Sequence, residues 1–118
     1  MGAFSDTSTN ETGGPYPDKR EVPRFCLIAT VELREPVSDT RIPGRISELS
    51  RKGCYVDVLI TLPEGTPLEL RISRDQGVFQ STGKIIYVQP GMGMGVAFVD
   101  IPAEQLKILD TWLAELSS

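Results

Sequence analysis

From Phe25 to Arg34 the chain alternates at every second residue. Phe25, Leu27, Ala29, Val31 and Leu33 fall on one side, with Thr30, Glu32 and Arg34 on the other. Side chains of an extended chain point alternately to opposite faces, so this run reads as a strand with one dry and one wet face. Such a strand is stable only beside others that share its dry face, and the rest of the sequence supplies candidates. Glu35-Pro36 ends the run, and residues 36–44 read as a turn-rich connection. Gly44 to Leu49 reads as a second strand and Cys54 to Ile60 as a third, rich in β-branched residues. Pro63-Glu64-Gly65-Thr66-Pro67 is a strong turn signal. In the fourth strand Leu68, Leu70 and Ile72 alternate with Glu69, Arg71 and Ser73. Asp75-Gln76-Gly77 turns into a long fifth strand, Val78 to Gln89, in which Gly83 marks a bulge or bend. Pro90-Gly91 turns again, and Gly95 to Ile101 is the sixth strand.

The period then changes. Pro102 suits a first helical turn and Glu104 suits the positive end of a helix. Leu106, Leu109, Leu113 and Leu116 recur at helical spacing with Trp112 beside them, an amphipathic helix of about four turns. Six short strands at regular spacing and one terminal helix predict an all-β protein: a six-stranded antiparallel barrel with a C-terminal α-helix packed on it. With 118 residues, 40% of them apolar, the chain suffices for one domain with a single modest core. The sequence divides into a flexible Ser/Thr/Gly-rich head over residues 1–17 and a domain over 18–118. Within that domain the reading is a linker at 18–24, the barrel at 25–101 and the helix at 102–116.

Several functional classes are disfavoured at this stage. No apolar run approaches the ~20 residues of a membrane span, and the first residues lack the pattern of a secretory signal. Met1-Gly2 is not followed by the Ser/Thr at the sixth position that myristoylation calls for. A cytoplasmic protein is the expectation. The chain contains no histidine and two cysteines, Cys26 and Cys54, outside any CxxC pair. That removes Ser-His-Asp and Cys-His catalysis and a four-ligand zinc site. Both thiols read as buried, reduced hydrophobes rather than a disulfide. No nucleophile has a base at hand, so an enzyme is not expected, and neither is a cofactor or metal. Gly91-Met92-Gly93-Met94-Gly95 mimics a phosphate loop, but it lacks the following Lys-Ser/Thr and precedes a strand; it reads as a turn. Asp57 reads as an outward-facing residue.

The net charge of −4 argues against a DNA or RNA polymer as partner. Charge is unevenly placed, however. Residues 18–52 hold eight of the 12 basic and six of the 16 acidic residues, a net of +2; the remainder, four bases against ten acids, carries −6. A local basic patch on an acidic protein suits a small anion. Within the patch, Arg20 and Arg24 lie four apart, and Pro23 disfavours helix at Val22, so the segment is extended and free to wrap a ligand. Guanidinium groups bond phosphates bidentately and can grip the O6/N7 edge or the face of guanine. Glu48 and Ser50 project to one side of the second strand. A carboxylate accepts from both donors on guanine's Watson–Crick edge, and a hydroxyl can donate or accept beside it. Gly53 permits a tight turn or a close ligand approach. Taken singly, the arginines read as solvated linker residues and the Glu48–Gly53 patch as a polar strand end. Taken together they make a receptor for a compact anionic nucleotide.

The order of these features resembles the PilZ domain family: RxxxR in an N-terminal linker, D/N-x-S-x-x-G on a barrel, a glycine-led G-V-x-F strand and a C-terminal helix. Arg20 and Arg24 match the first motif, Ser50 and Gly53 the second with Glu48 at its acidic position, and Gly95-Val96-Ala97-Phe98 the third. The resemblance covers roughly residues 18 to 116. It implies a six-stranded barrel that binds cyclic di-GMP, often as a self-stacked pair. In that reading Arg20 and Arg24 grip phosphates and guanines, Glu48 and Ser50 read a guanine, and Gly53 shapes the turn. Lys19, Arg51, Lys52 and Gly95 complete the expected site. Glu48 departs from the usual Asp or Asn by one methylene, and Lys52 replaces a frequent glycine. With no output domain in view, an effector protein is the expected further partner. The rival reading is a PilZ-like interaction module of pilus or motility machinery that binds no nucleotide.

Overall fold

A computed structural model describes residues 23–117, together with the backbone of two dipeptides ahead of them, Gly2–Ala3 and Ser5–Asp6. The expected flexible head and most of the expected linker, including Lys19 and Arg20, lie outside the described side chains. Six strands follow: β1 (Arg24–Glu35), β2 (Thr40–Ser50), β3 (Gly53–Asp57), β4 (Pro67–Arg74), β5 (Gly77–Gln89) and β6 (Gly93–Val99). Helix α1 spans Ala103–Ser117. All neighbouring strands run antiparallel and close into a barrel of order β1-β2-β3-β6-β5-β4. Closure leaves no long unpaired edge for another chain to extend.

The alternation that opens the sequence is the alternation of the wall. Ala29, Val31 and Leu33 of β1 point inward and are buried. They meet Ile46, Leu49, Val56, Leu70, Ile72, Ile85 and Val96 in one continuous core centred on the fully buried Phe79. Removing a side chain of that size from water is worth about 1.5–3 kcal/mol. The helix lies against β5 and β1, burying Leu109 and Trp112, with Leu106, Leu113 and Leu116 half-buried at the margin. Trp112 and Phe98 both pack on Phe79, at ring-centroid distances of 6.3 Å and 5.1 Å. Two ion pairs pin the helix to the barrel: Arg51 to Asp110 at 3.1 Å and Arg74 to Glu115 at 2.7 Å.

Four sequence readings change. The second strand starts at Thr40, not Gly44. The connection before it shrinks to Pro36–Asp39, closed by Glu35 accepting from Val37 N and Ser38 N. The Ser38 hydroxyl, donating to Glu35 at 2.7 Å, and then those two main-chain bonds favour the ionised Glu35 carboxylate and hold its pKa low. Asp39 takes the left-handed conformation there (φ 58°), which a short polar side chain tolerates. The third strand stops at Asp57; Val58 is still buried, but Leu59 and Ile60 are exposed. The sixth starts at Gly93, so only the first part of the Gly91–Gly95 run is a turn. Gly83 sits in regular pairing, where a Cβ would come 2.7 Å from Leu70 Cδ1, and the bulge in β5 lies at Ile85/Tyr87 instead.

The thiols also differ from the expectation. Cys54 is buried in the core, and burial pushes its pKa up to about 12. Cys26 is exposed, because it has the outward parity of β1 and stands opposite Glu48. A thiol reagent added to native protein at neutral pH is therefore expected to modify one cysteine per chain, and two after denaturation. Mass spectrometry that found Cys54 modified in the native state would contradict its burial.

Candidate functional site

The candidate residues gather on the outer wall where β1, β2, β3 and β6 run side by side. Arg24 is the first residue of β1 and pairs in register with Ser50; Cys26 pairs with Glu48. Leu49, between them, points into the core with no exposure. Glu48 and Ser50 therefore share the outer side, as the sequence suggested. A bulge makes this possible. Between Ile46 and Glu48 the register with β3 slips by one residue at Ser47, and β1 slips at Leu27-Ile28 opposite the same place. Bulges re-aim side chains, and this one restores Leu49 to the core while turning Glu48 outward.

Arg24 Nη1 donates to Glu48 Oε1 at 3.1 Å, with the two side chains 28% and 38% exposed. The structure thus joins the guanidinium and the carboxylate of two separate sequence motifs. A pair this exposed is worth no more than about 1 kcal/mol, so a ligand with stronger charge can exchange for either partner.

Ser50 is buried, and its hydroxyl serves the β2–β3 turn. Oγ accepts from Lys52 N and Gly53 N, both at 3.2 Å, and is within 3.3 Å of Gly53 O, to which it donates. Gly53 is required by crowding rather than by turn conformation. A Cβ there would stand 2.2 Å from the Val96 carbonyl oxygen of β6, and Phe98 N donates to Lys52 O at 2.8 Å just beyond. The Ser50-Arg51-Lys52-Gly53 turn is consequently clamped to β6. Arg51 reaches away to Asp110 on the helix, and the exposed Lys52 lies at the tip. Gly95 sits on the outer side of β6, two strands from Glu48, and a Cβ there would come 2.3 Å from the Tyr87 ring.

Two residues that the sequence reading passed over belong to this wall. Tyr55 stands directly opposite Glu48 on one side and Gly95 on the other; Tyr87 stands opposite Gly95 from β5. Their rings are 6.1 Å apart with a 31° tilt. Desolvation raises the Tyr55 phenol pKa, and the carboxylates of Asp57 and Glu48 add to it. The signal was available: Cys54, Val56 and Val58 alternate inward, which forces Tyr55 outward. Asp57 is exposed as expected, accepting from Ser47 Oγ at 3.3 Å. Among the described residues no group of His, Cys, Asp and Glu could hold a metal ion, and no helix is long and apolar enough to cross a membrane.

Comparison with known proteins bears on the family and the fold. The PilZ domain model matches residues 18–115. The chain is similar in structure to the PilZ domain with c-di-GMP of YcgR from Escherichia coli: TM-score 0.69 and 16% identity, over 85% of this chain and 92% of that one. It is also similar to the PilZ domain of CeSA from a cellulose-synthesizing bacterium, with TM-score 0.64 and 20% identity over 81% and 99%. A third likeness is to the inhibitor of motility MotI/DgrA of Bacillus subtilis, with TM-score 0.67 and 15% identity over 84% of this chain and 51% of that one. At these identities the likeness is one of fold. No curated protein matches the chain by sequence.

Proposed function

The chain belongs to the PilZ domain family, and from that premise we propose that it is a cytoplasmic cyclic di-GMP receptor, not an enzyme, that signals through an effector protein. The observation that carries this reading is the Arg24–Glu48 pair at 3.1 Å on the outer wall. A cation and an acceptor stand side by side where the chain enters the barrel. In the proposed complex a phosphate or guanine edge takes the Arg24 guanidinium. The released Glu48 carboxylate accepts from the two donors of guanine's Watson–Crick edge. Ser50 and Gly53 act by fixing the turn beneath. Arg20 closes over the ligand from the preceding segment, with Lys19 and Lys52 adding positive charge. Ordering of residues 18–24 against the wall is the change an effector reads. The bound phosphates carry the anionic charge for which the +2 segment is suited.

Isothermal titration calorimetry with cyclic di-GMP, and GTP as control, tests this. The expected result is binding at micromolar Kd or tighter, roughly −8 kcal/mol, with little heat from GTP. The absence of heat and of any thermal shift with cyclic di-GMP would sink the receptor reading. It would favour the second one, a protein-interaction module without nucleotide, in which Glu48 holds Arg24 permanently.

A further inference from the structure

The outer wall beside Glu48 is paved with aromatic rings over a strip that has no side chains. Outward positions of β6 are Gly93 and Gly95, flanked by the inward Met94 and Val96. Tyr55 leans onto this strip from β3: a Cβ on Gly93 would lie 2.8 Å from both its Cε2 and its hydroxyl. Tyr87 leans onto it from β5, over Gly95. The glycines leave room for both rings against the sheet, and both tyrosines stay half-buried. The Tyr55 hydroxyl donates to Gln89 Oε1, which anchors the ring at its far end. Tyr55 remains only half-buried, and its cross-strand neighbour on β2 is Glu48, one strand spacing or about 4.8 Å away.

We propose that the Tyr55 ring is the stacking surface for one guanine of the ligand, holding the base flat while Glu48 takes its edge. This rests on the cyclic di-GMP reading and adds a residue to that site. A purine needs both contacts to be fixed in position: a carboxylate sets its rotation and a ring sets its plane. Glu48 and Tyr55 are cross-strand neighbours on the same face and offer one each. Tyr87, its ring 6.1 Å away over Gly95, continues the aromatic surface.

The test compares wild type, Tyr55→Phe and Tyr55→Leu by calorimetry with cyclic di-GMP, alongside proton NMR of the ligand. Base–aromatic stacking corresponds to about tenfold to a hundredfold in affinity. Tyr55→Leu is expected to weaken binding by at least tenfold, and Tyr55→Phe to stay within about threefold because it keeps the ring. In wild type the guanine H8 resonance is expected to move upfield in the ring current. A bound wild type whose H8 does not move, or Tyr55→Leu binding as tightly as wild type, would overturn the platform and leave the receptor reading intact. A wild type that binds no cyclic di-GMP would overturn both. The wild-type NMR measurement stands even if Tyr55→Leu does not fold.

Discussion

Gly53→Val is expected to leave a chain that does not fold, and Gly53→Ala one that melts far below wild type. The reason is that everything near the missing Cβ is main chain. It would lie 2.2 Å from Val96 O and 3.2 Å from Val96 C and Ala97 Cα. A flexible side chain could move aside, but these atoms belong to β6, held in ladder with β3 through Gly53↔Ala97 and Cys54↔Val96. Relief requires the β3–β6 seam to open, which also strains the Lys52 O···Phe98 N bond. Overpacking a core costs about 1–3 kcal/mol where side chains adjust, occasionally more. For Gly53→Ala, where they cannot, about 3 kcal/mol is the expected loss, a fall in melting temperature on the order of 15 °C. Valine adds two more methyl groups at the same point. Thermal melts followed by circular dichroism decide the matter. A Gly53→Ala protein melting within a few degrees of wild type would mean that the seam yields and Gly53 is there for another reason.

Arg24→Ala carries the largest expected effect on binding: a loss of at least about a hundredfold in affinity for cyclic di-GMP, with almost no loss of fold. The two halves have different causes. In the free protein the Arg24–Glu48 ion pair is part-exposed and worth no more than about 1 kcal/mol. In the proposed complex the same guanidinium meets phosphate in a low-dielectric contact, where charge-assisted bidentate bonds are far stronger. Arg24→Lys keeps the charge and loses the fork, so it falls between. Calorimetry and a thermal melt on the same samples separate the outcomes. If Arg24→Ala binds as wild type does, Arg24 is no ligand residue; if it also melts much lower, the Arg24–Glu48 pair is structural.

Much of the barrel could be read from the chain because inward residues such as Val31, Leu33, Leu70 and Ile72 keep strict period two. What escaped was whatever breaks that period or depends on a distant partner. Pro43 hid the start of β2, since proline reads as a turn; here it is exposed in the strand opposite Glu32. Leu59 and Ile60 lengthened β3 on paper because their apolar character says nothing about whether a neighbouring strand reaches them. The bulge at Ser47 leaves no mark in composition. The family motifs pointed to Arg24, Glu48, Ser50 and Gly53 as one cluster, and the structure brings these four to one wall. The division of labour among them was not legible. Ser50 Oγ is spent on two main-chain amides, Gly53 answers to β6, and Arg24 finds Glu48 from 24 residues away. These depend on which strands lie side by side, which no local window contains.

The ring order carries one more consequence, for synthesis. β6 is the last strand made, yet it sits between β3 and β5. Until residues 93–99 have emerged, β3 and β5 each present an open edge, and the Tyr55 and Tyr87 rings have no glycine strip to rest on. The keystone arrives last, and the wall that carries the candidate site is assembled in the same step that shuts the barrel. A chain cut short of residues 93–99 therefore lacks both a closed barrel and the wall on which Arg24, Glu48, Ser50 and Gly53 meet.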